Sequence, residues 1–186
     1  MTGMEYFERM YRESSDPWQL EGRDYELRKY ALTLASLPQQ RYRRAFEPGC
    51  SIGLLTRLLV GRCDTVVASD PVQRPLEVAR RLVPEAELVR GAIPQDWPGG
   101  TFDLVVLSEV LYYLTAAQRA ETIRRVVETL EPGGTVVAVH WRHGFTEAEC
   151  DGDQAHRELV AEPALRRVVW HEERDFTLVV LTHDRA

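Results

Sequence analysis

Three features of this 186-residue chain predict an α/β fold. From residue 44 onward, β-rich and helix-patterned segments alternate regularly. A glycine-bearing turn follows the first of these strands. At the C-terminal end, two β-rich runs are separated by only four residues, Glu172-Glu173-Arg174-Asp175. Alternation places parallel strands in one sheet with helices on both faces. A four-residue connection is too short for a parallel crossover, so the last two runs form an antiparallel hairpin. The expected sheet has seven strands in one domain, residues 1–186, with a helical cap or lid over 1–40 and the core over 41–186.

Each element has its own signal. Residues 4–13 suit a short helix with Tyr6, Phe7, Met10 and Tyr11 on one side, ended by Ser14-Ser15-Asp16-Pro17. A second helix is predicted over 23–37, with Leu27, Ala31 and Leu34 at helical spacing and Pro38 as its stop. These two helices precede the alternation, so they stand outside the sheet and are candidates for a lid over its ligand edge. Strand one is placed at 44–47 and a helix at 54–60. Strand two is at 65–70, then a helix at 74–83 with Leu76, Ala79 and Val83 inward. Strand three is at 87–90, and a Pro- and Gly-bearing loop leads to strand four at 102–108. A helix over 116–130 carries Ile123, Val126, Val127 and Leu130 on one face. Pro132-Gly133-Gly134 turns the chain into strand five at 135–140, and the hairpin pairs 167–171 with 176–182.

Composition bounds the function. Hydrophobic residues make up 44% and charged residues 28%, ordinary for a globular protein. A net charge of −6 argues against a general nucleic-acid binder, which carries a basic face. Cys50, Cys63 and Cys150 are odd in number and widely spaced, so neither a disulfide framework nor a metal site is expected. A reduced, cytoplasmic setting follows as the default. The N-terminal residues lack the basic and apolar regions of a signal peptide, and no apolar run is long enough to cross a bilayer, so no membrane partner is expected.

The chemistry gathers at Arg44-Ala45-Phe46-Glu47-Pro48-Gly49-Cys50-Ser51-Ile52-Gly53. Strand, tight turn and helix start follow one another, and the helix aims its free N–H groups back at the turn. Asp70 ends the second strand, where a carboxylate can accept from both hydroxyls of a nucleotide ribose. A dinucleotide fingerprint needs Gly-x-Gly-x-x-Gly, which this turn matches poorly, and that mismatch together with the terminal hairpin disfavours a nicotinamide dehydrogenase.

Glu47, Gly49 and Gly53, followed by Asp70, resemble the first motif of class I S-adenosylmethionine methyltransferases, which have a Rossmann-like sheet. The run from Asp103 to Leu114, DLVVLSEVLYYL, is similar to their fourth-strand motif. Tyr11-Arg12, Asp16-Pro17-Trp18, Lys29-Tyr30, Thr33-Leu34, Leu37-Pro38, the glycine turn and His140-Trp141-Arg142 resemble one subfamily, the nodulation S family. Its type member N-methylates a deacetylated amino sugar of a chitin-oligosaccharide signal. The resemblance spans nearly the whole chain and implies a methyltransferase that converts S-adenosyl-L-methionine to S-adenosyl-L-homocysteine. It places the cofactor against Glu47, Gly49, Cys50, Ser51, Gly53, Asp70, Pro71, Ala92, Ile93, Ser108 and Trp18. The segment after strand three usually offers an acid to the adenine amine, and 90–93 has none. The implied acceptor is a small molecule, most simply an amino-sugar or saccharide amine. An O-methyltransferase on a hydroxylated natural product and a catalytically silent cofactor-binding module are the rivals. Monomer and homodimer both remain open.

The carboxyl ends of strands four and five bring Ser108-Glu109 and His140-Trp141 to the same edge as the turn. Glu109 is the first candidate to orient or deprotonate an acceptor, or else is a helix-start acid. His140 is the second, or else is a strand-end histidine bonded to backbone. Tyr112, Trp141 and Tyr25 are candidate acceptor contacts, with core packing as the alternative for the tyrosines. Lys29 and Arg28 read as solvated helix charge or as partners of a cofactor carboxylate. His143, His156, His171 and His183 read as surface or hairpin residues, and the acidic run 147–153 as a solvated loop.

Overall fold

A computed structural model describes residues 3–184; the four terminal residues of the expected cap and core lie outside the described residues. Seven strands form one sheet: β1 (Tyr42–Pro48), β2 (Cys63–Asp70), β3 (Glu87–Arg90), β4 (Phe102–Ser108), β5 (Leu130–Trp141), β6 (Leu165–Glu172) and β7 (Phe176–His183). Their order is β3-β2-β1-β4-β5-β7-β6. All neighbours from β3 to β5 pair in parallel, and β7 runs antiparallel to both β5 and β6. The expected parallel sheet with its antiparallel C-terminal hairpin is what the chain builds.

The central strands are buried on both faces, which is why Leu104 to Leu107 and Val136 to Val139 read as continuous apolar runs. Six helices cover the sheet: α1 (Gly3–Glu13), α2 (Asp24–Ser36), α3 (Leu54–Val60), α4 (Gln73–Leu82), α5 (Ala116–Thr129) and α6 (Gly152–Val160). Tyr30 of α2, Leu55 and Leu59 of α3 and Leu76 of α4 pack with Val66, Leu104, Val137 and Leu178 on one face. Ile123 and Val126 of α5 and Ala155 and Leu159 of α6 pack with Phe46, Val105, Ala138 and Val179 on the other.

Three elements differ from expectation. Strand five begins at Leu130, because Pro132-Gly133-Gly134 stays within it and is absorbed as a register shift opposite Phe102–Leu104. Part of the stretch read as a solvated acidic loop starts a helix: Asp151 caps α6, accepting from the Gln154 N–H at 2.6 Å, and Asp153 pairs with Arg142. In α2 the buried face is not Leu27, Ala31 and Leu34. Leu27 is 56% exposed, while Glu26, Lys29, Tyr30 and Thr33 are buried. The helix turns its charged residues inward because partners wait for them at the ligand edge.

Candidate functional site

The carboxyl ends of β1, β2, β4 and β5 share one rim. At the end of β1, Gly49 and Cys50 both donate their N–H groups to the Ser69 carbonyl, at 2.6 and 2.9 Å. The chain then passes through Gly49, Ser51 and Gly53 with φ of +73°, +53° and +85°. At Gly49 a side chain would collide with Val110, so the turn is drawn tightly against the segment after β4. Ser51 and Glu109 are non-glycine residues held in the left-handed region, a conformation that costs free energy and clusters at functional sites.

Asp70 is 5% exposed. Its Oδ2 accepts from the Ser51 N–H at 3.0 Å and its Oδ1 from the Val72 N–H at 2.9 Å. Burial raises its pKa to about 6, and the two N–H bonds oppose that rise. Each oxygen keeps a lone pair, so the carboxylate can still accept from ribose hydroxyls. Beneath the turn Glu47 is buried, accepts from Thr56 Oγ1 at 2.6 Å, and is pushed up to about 8 by burial. It supports the turn as a neutral acid at neutral pH. Cys50 is buried with its thiol raised well above the ordinary value by burial, an inert packing residue.

A cleft of about 260 Å³ continues from Asp70 along the ends of β2 and β3, lined by Pro71, Arg90, Gly91, Ala92, Asp96 and Met4. Asp96 accepts from the Ala92 N–H at 3.0 Å. The stretch 90–93 has no acid of its own, and Asp96 brings one to the cleft from further along the loop. Sequence spacing hid it, although Asp96 three residues past Ile93 was a usable signal. Ile93 is buried in the core beneath this cleft. Pro71 and Ala92 give a flat apolar wall and Asp96 an acceptor, a set that suits an adenine. Over the turn lies α1: Tyr11 is 2% exposed and donates to Ser51 Oγ at 2.6 Å, and Trp18 packs edge-on to it with centroids 5.4 Å apart.

On the other side of the turn Glu109 heads a network. Its Oε1 accepts from Lys29 Nζ at 2.7 Å, and its Oε2 from Tyr112 O–H at 2.6 Å and the Trp141 N–H at 2.8 Å. Lys29 is 2% exposed and also meets Glu26 at 2.9 Å. Burial alone lowers an ammonium pKa, but Glu109 and Glu26 together hold Lys29 above its ordinary value. Tyr25 lies 5.0 Å from Lys29 Nζ and packs edge-on to Trp141. Its hydroxyl is buried without a hydrogen-bond partner among the described residues. Ser108 is half-buried at the end of β4, beside Glu109.

His140 takes the backbone-bonded alternative and has no free nitrogen with which to accept a proton. It is fully buried, and its Nε2 accepts from the Leu111 N–H at 3.1 Å. The remaining nitrogen, Nδ1, therefore carries the proton and donates to His156 Nε2 at 3.0 Å. His156, expected at the surface, is fully buried in α6. Burial lowers both histidines to about 3, so both are neutral at the working pH. Tyr112 is buried and spends its hydroxyl on Glu109, so of the expected acceptor contacts Tyr25 and Trp141 are the more open.

Among the described residues no group of three or more His, Cys, Asp or Glu side chains could hold a metal, and no helix is long and apolar enough to cross a membrane. The strand order, with a single antiparallel strand inside the edge, is that of the class I methyltransferase sheet, and the turn, Asp70 and Glu109 occupy its ligand rim. Residues 46–138 match the methyltransferase domain family. The chain is 32% identical over 129 residues to nodulation protein S of Rhizobium tropici, covering 67% of this chain and 54% of that protein. It is 29% identical over 144 residues to nodulation protein S of Sinorhizobium fredii, covering 74% and 67%. The matched region thus spans about half the length of the first of these curated relatives. A crystal structure of a candidate methyltransferase from Pseudomonas syringae is 39% identical, with a TM-score of 0.77 over 87% of this chain and 100% of that one. The N-methyltransferase NodS from Bradyrhizobium japonicum, crystallised with S-adenosyl-L-homocysteine, shares the fold with a TM-score of 0.82 at 24% identity, covering 98% and 99%. The chain belongs to the methyltransferase domain family, and within it is NodS-like.

Proposed function

We propose that the protein transfers a methyl group from S-adenosylmethionine to the amine of a small acceptor, most simply an amino sugar or another saccharide amine. The residues on the rim fit the cofactor. Asp70 has free acceptor capacity for ribose hydroxyls, Pro71, Ala92 and Asp96 offer an adenine wall, and the Gly49–Gly53 turn leaves the backbone bare. When bound, the sulfonium supplies a methyl group already activated for in-line displacement. The protein therefore has to bring the acceptor alongside, exclude water and manage one proton.

The observation that carries the amine reading is the charge beyond the turn. Glu26 and Glu109 share the single ammonium of Lys29, so the cluster holds one carboxylate more than it has cations. That charge draws a cationic amine and repels an anionic acceptor. Glu109 is held at the mouth by Lys29, Tyr112 and the Trp141 N–H, and can take a proton from the bound ammonium, which frees the nitrogen lone pair to face the methyl group. Tyr25 and Trp141 add aromatic faces on which a sugar ring can stack. The N-methyltransferase name of the NodS neighbour supports an amine acceptor. The test is to incubate the protein with S-adenosylmethionine and a panel of amino sugars, alcohols and carboxylates, and to follow S-adenosylhomocysteine. Amines should turn over first; product only from alcohols or carboxylates, or from none, would defeat the reading.

A further inference from the structure

A second cleft of about 260 Å³ adjoins the adenine-side cleft through Arg90. Its lining includes Glu8, Tyr11, Arg12, Val72, Arg74 and Arg90. Two of its walls are tied to the ribose acid. Val72 donates its N–H to Asp70 Oδ1, and Tyr11 bonds Ser51, whose N–H donates to Asp70 Oδ2. The cleft therefore opens beside the place where ribose hydroxyls would meet Asp70. We propose that it is an anion subsite for a phosphate carried on the 2′ or 3′ position of an adenosine ribose, and that such nucleotides compete with the methyl donor. The inference rests on the reading of Asp70 as the ribose acid.

The argument is one of charge without neutralisation. Elsewhere Arg41, Arg43, Arg119, Arg124 and Arg142 are spent on carboxylates. Around this cleft they are not. Arg74 Nη1 reaches only the Arg12 carbonyl at 3.3 Å, and Arg90 Nε only the Pro71 carbonyl at 3.0 Å. Among the described residues the Arg12 guanidinium has no hydrogen-bond or ion-pair partner. Glu8 is the one acid in the lining against three arginines, in a chain of net charge −6, and the Asp70 carboxylate stands behind Val72. Helix α4 also opens here, with no side-chain cap and no acid in its first turn. Its free N–H groups add to the positive field. Guanidinium forks match phosphate oxygens in pairs. Arginines beside the ribose acid are also how dinucleotide folds admit a ribose phosphate.

Calorimetry on the whole chain tests this, with S-adenosylhomocysteine, adenosine, adenosine 2′-, 3′- and 5′-phosphate, and inorganic phosphate as probes. The 2′- or 3′-phosphate should bind about tenfold more tightly than adenosine, one charge-assisted hydrogen bond's worth, and the gain should shrink with added salt. The exposed double variant Arg12→Gln/Arg74→Gln should lose that gain, with adenosine affinity serving as its folding control. If adenosine binds and its 2′- and 3′-phosphates bind no better, the subsite is refuted. An equal gain from the 5′-phosphate, or a gain that survives in the variant, refutes it as well, since attraction would then be general. Failure of S-adenosylhomocysteine and adenosine alike to bind removes the ribose reading and this proposal together.

Discussion

Lys29 is the residue whose removal the structure constrains most. Replacing it with methionine keeps the length of the side chain and deletes the ammonium that Glu26 and Glu109 share at 2.9 and 2.7 Å. Breaking a buried ion pair by removing one partner costs about 3–5 kcal/mol, because a charge is left without compensation. Glu109 keeps two donors, Tyr112 O–H and the Trp141 N–H, and its side chain is 22% exposed, so it relaxes readily. Glu26 is more confined, with a side chain 6% exposed, but it keeps a side-chain hydrogen bond with Tyr30. The expected loss is therefore at the low end, about 3 kcal/mol. Urea denaturation of Lys29→Met and the parent reads the deficit directly. The double variant Glu26→Gln/Lys29→Met should recover much of the loss. A deficit below about 1 kcal/mol would refute the reasoning, since surface pairs behave that way.

Three further outcomes follow. Asp70→Ala should weaken S-adenosylhomocysteine binding by about 10- to 100-fold in calorimetry, and an unchanged affinity would remove the ribose contact from the scheme. His140 and His156 have folded pKa values of about 3, below the ordinary 6.5, so their stability contribution is complete above that ordinary value and is lost as pH falls toward about 3. The slope is at most about 1.4 kcal/mol per pH unit per histidine. Denaturation midpoints of His156→Phe should show a shallower acid slope than the parent; identical slopes would contradict the buried neutral pair. A Cβ at Gly152 would collide with the Trp141 carbonyl, so Gly152→Ala should cost about 2 kcal/mol and lower Tm by roughly 4–8 °C in a thermal scan.

The sheet was legible because its strands obey simple rules. β2, β3 and β4 are short apolar or alternating runs bounded by Gly, Pro and Asp, with α4 between the first two and a Pro- and Gly-bearing loop between the last two. The positions of the turn, Asp70 and Glu109 at the strand ends followed from that order alone. What stayed hidden was decided by partners distant in sequence. The buried face of α2 cannot be read from apolar spacing, because Lys29 is stabilised inside by Glu109, eighty residues away. His140 looked like a rim residue until the Leu111 N–H and His156 claimed both of its nitrogens. Helix α6 is short and opens with acids, so its first turn resembles a solvated loop; its cap at Asp151 was the signal available. Asp96 was concealed because a loop, unlike a strand, does not show which residue folds back on it.

The one reversed strand also carries the chain from the rim back to the opposite edge of the sheet. β7 begins opposite Trp141 at the rim and finishes with Thr182 opposite Thr135, and the His183 ring bonds the Leu130 carbonyl at the far edge. Helix α1, in contrast, lies across the rim itself. An affinity handle or fluorescent fusion attached behind β7 therefore sits a full strand length from the ligand mouth, whereas one attached ahead of α1 loads the covering helix. Binding and turnover measurements should use the former arrangement.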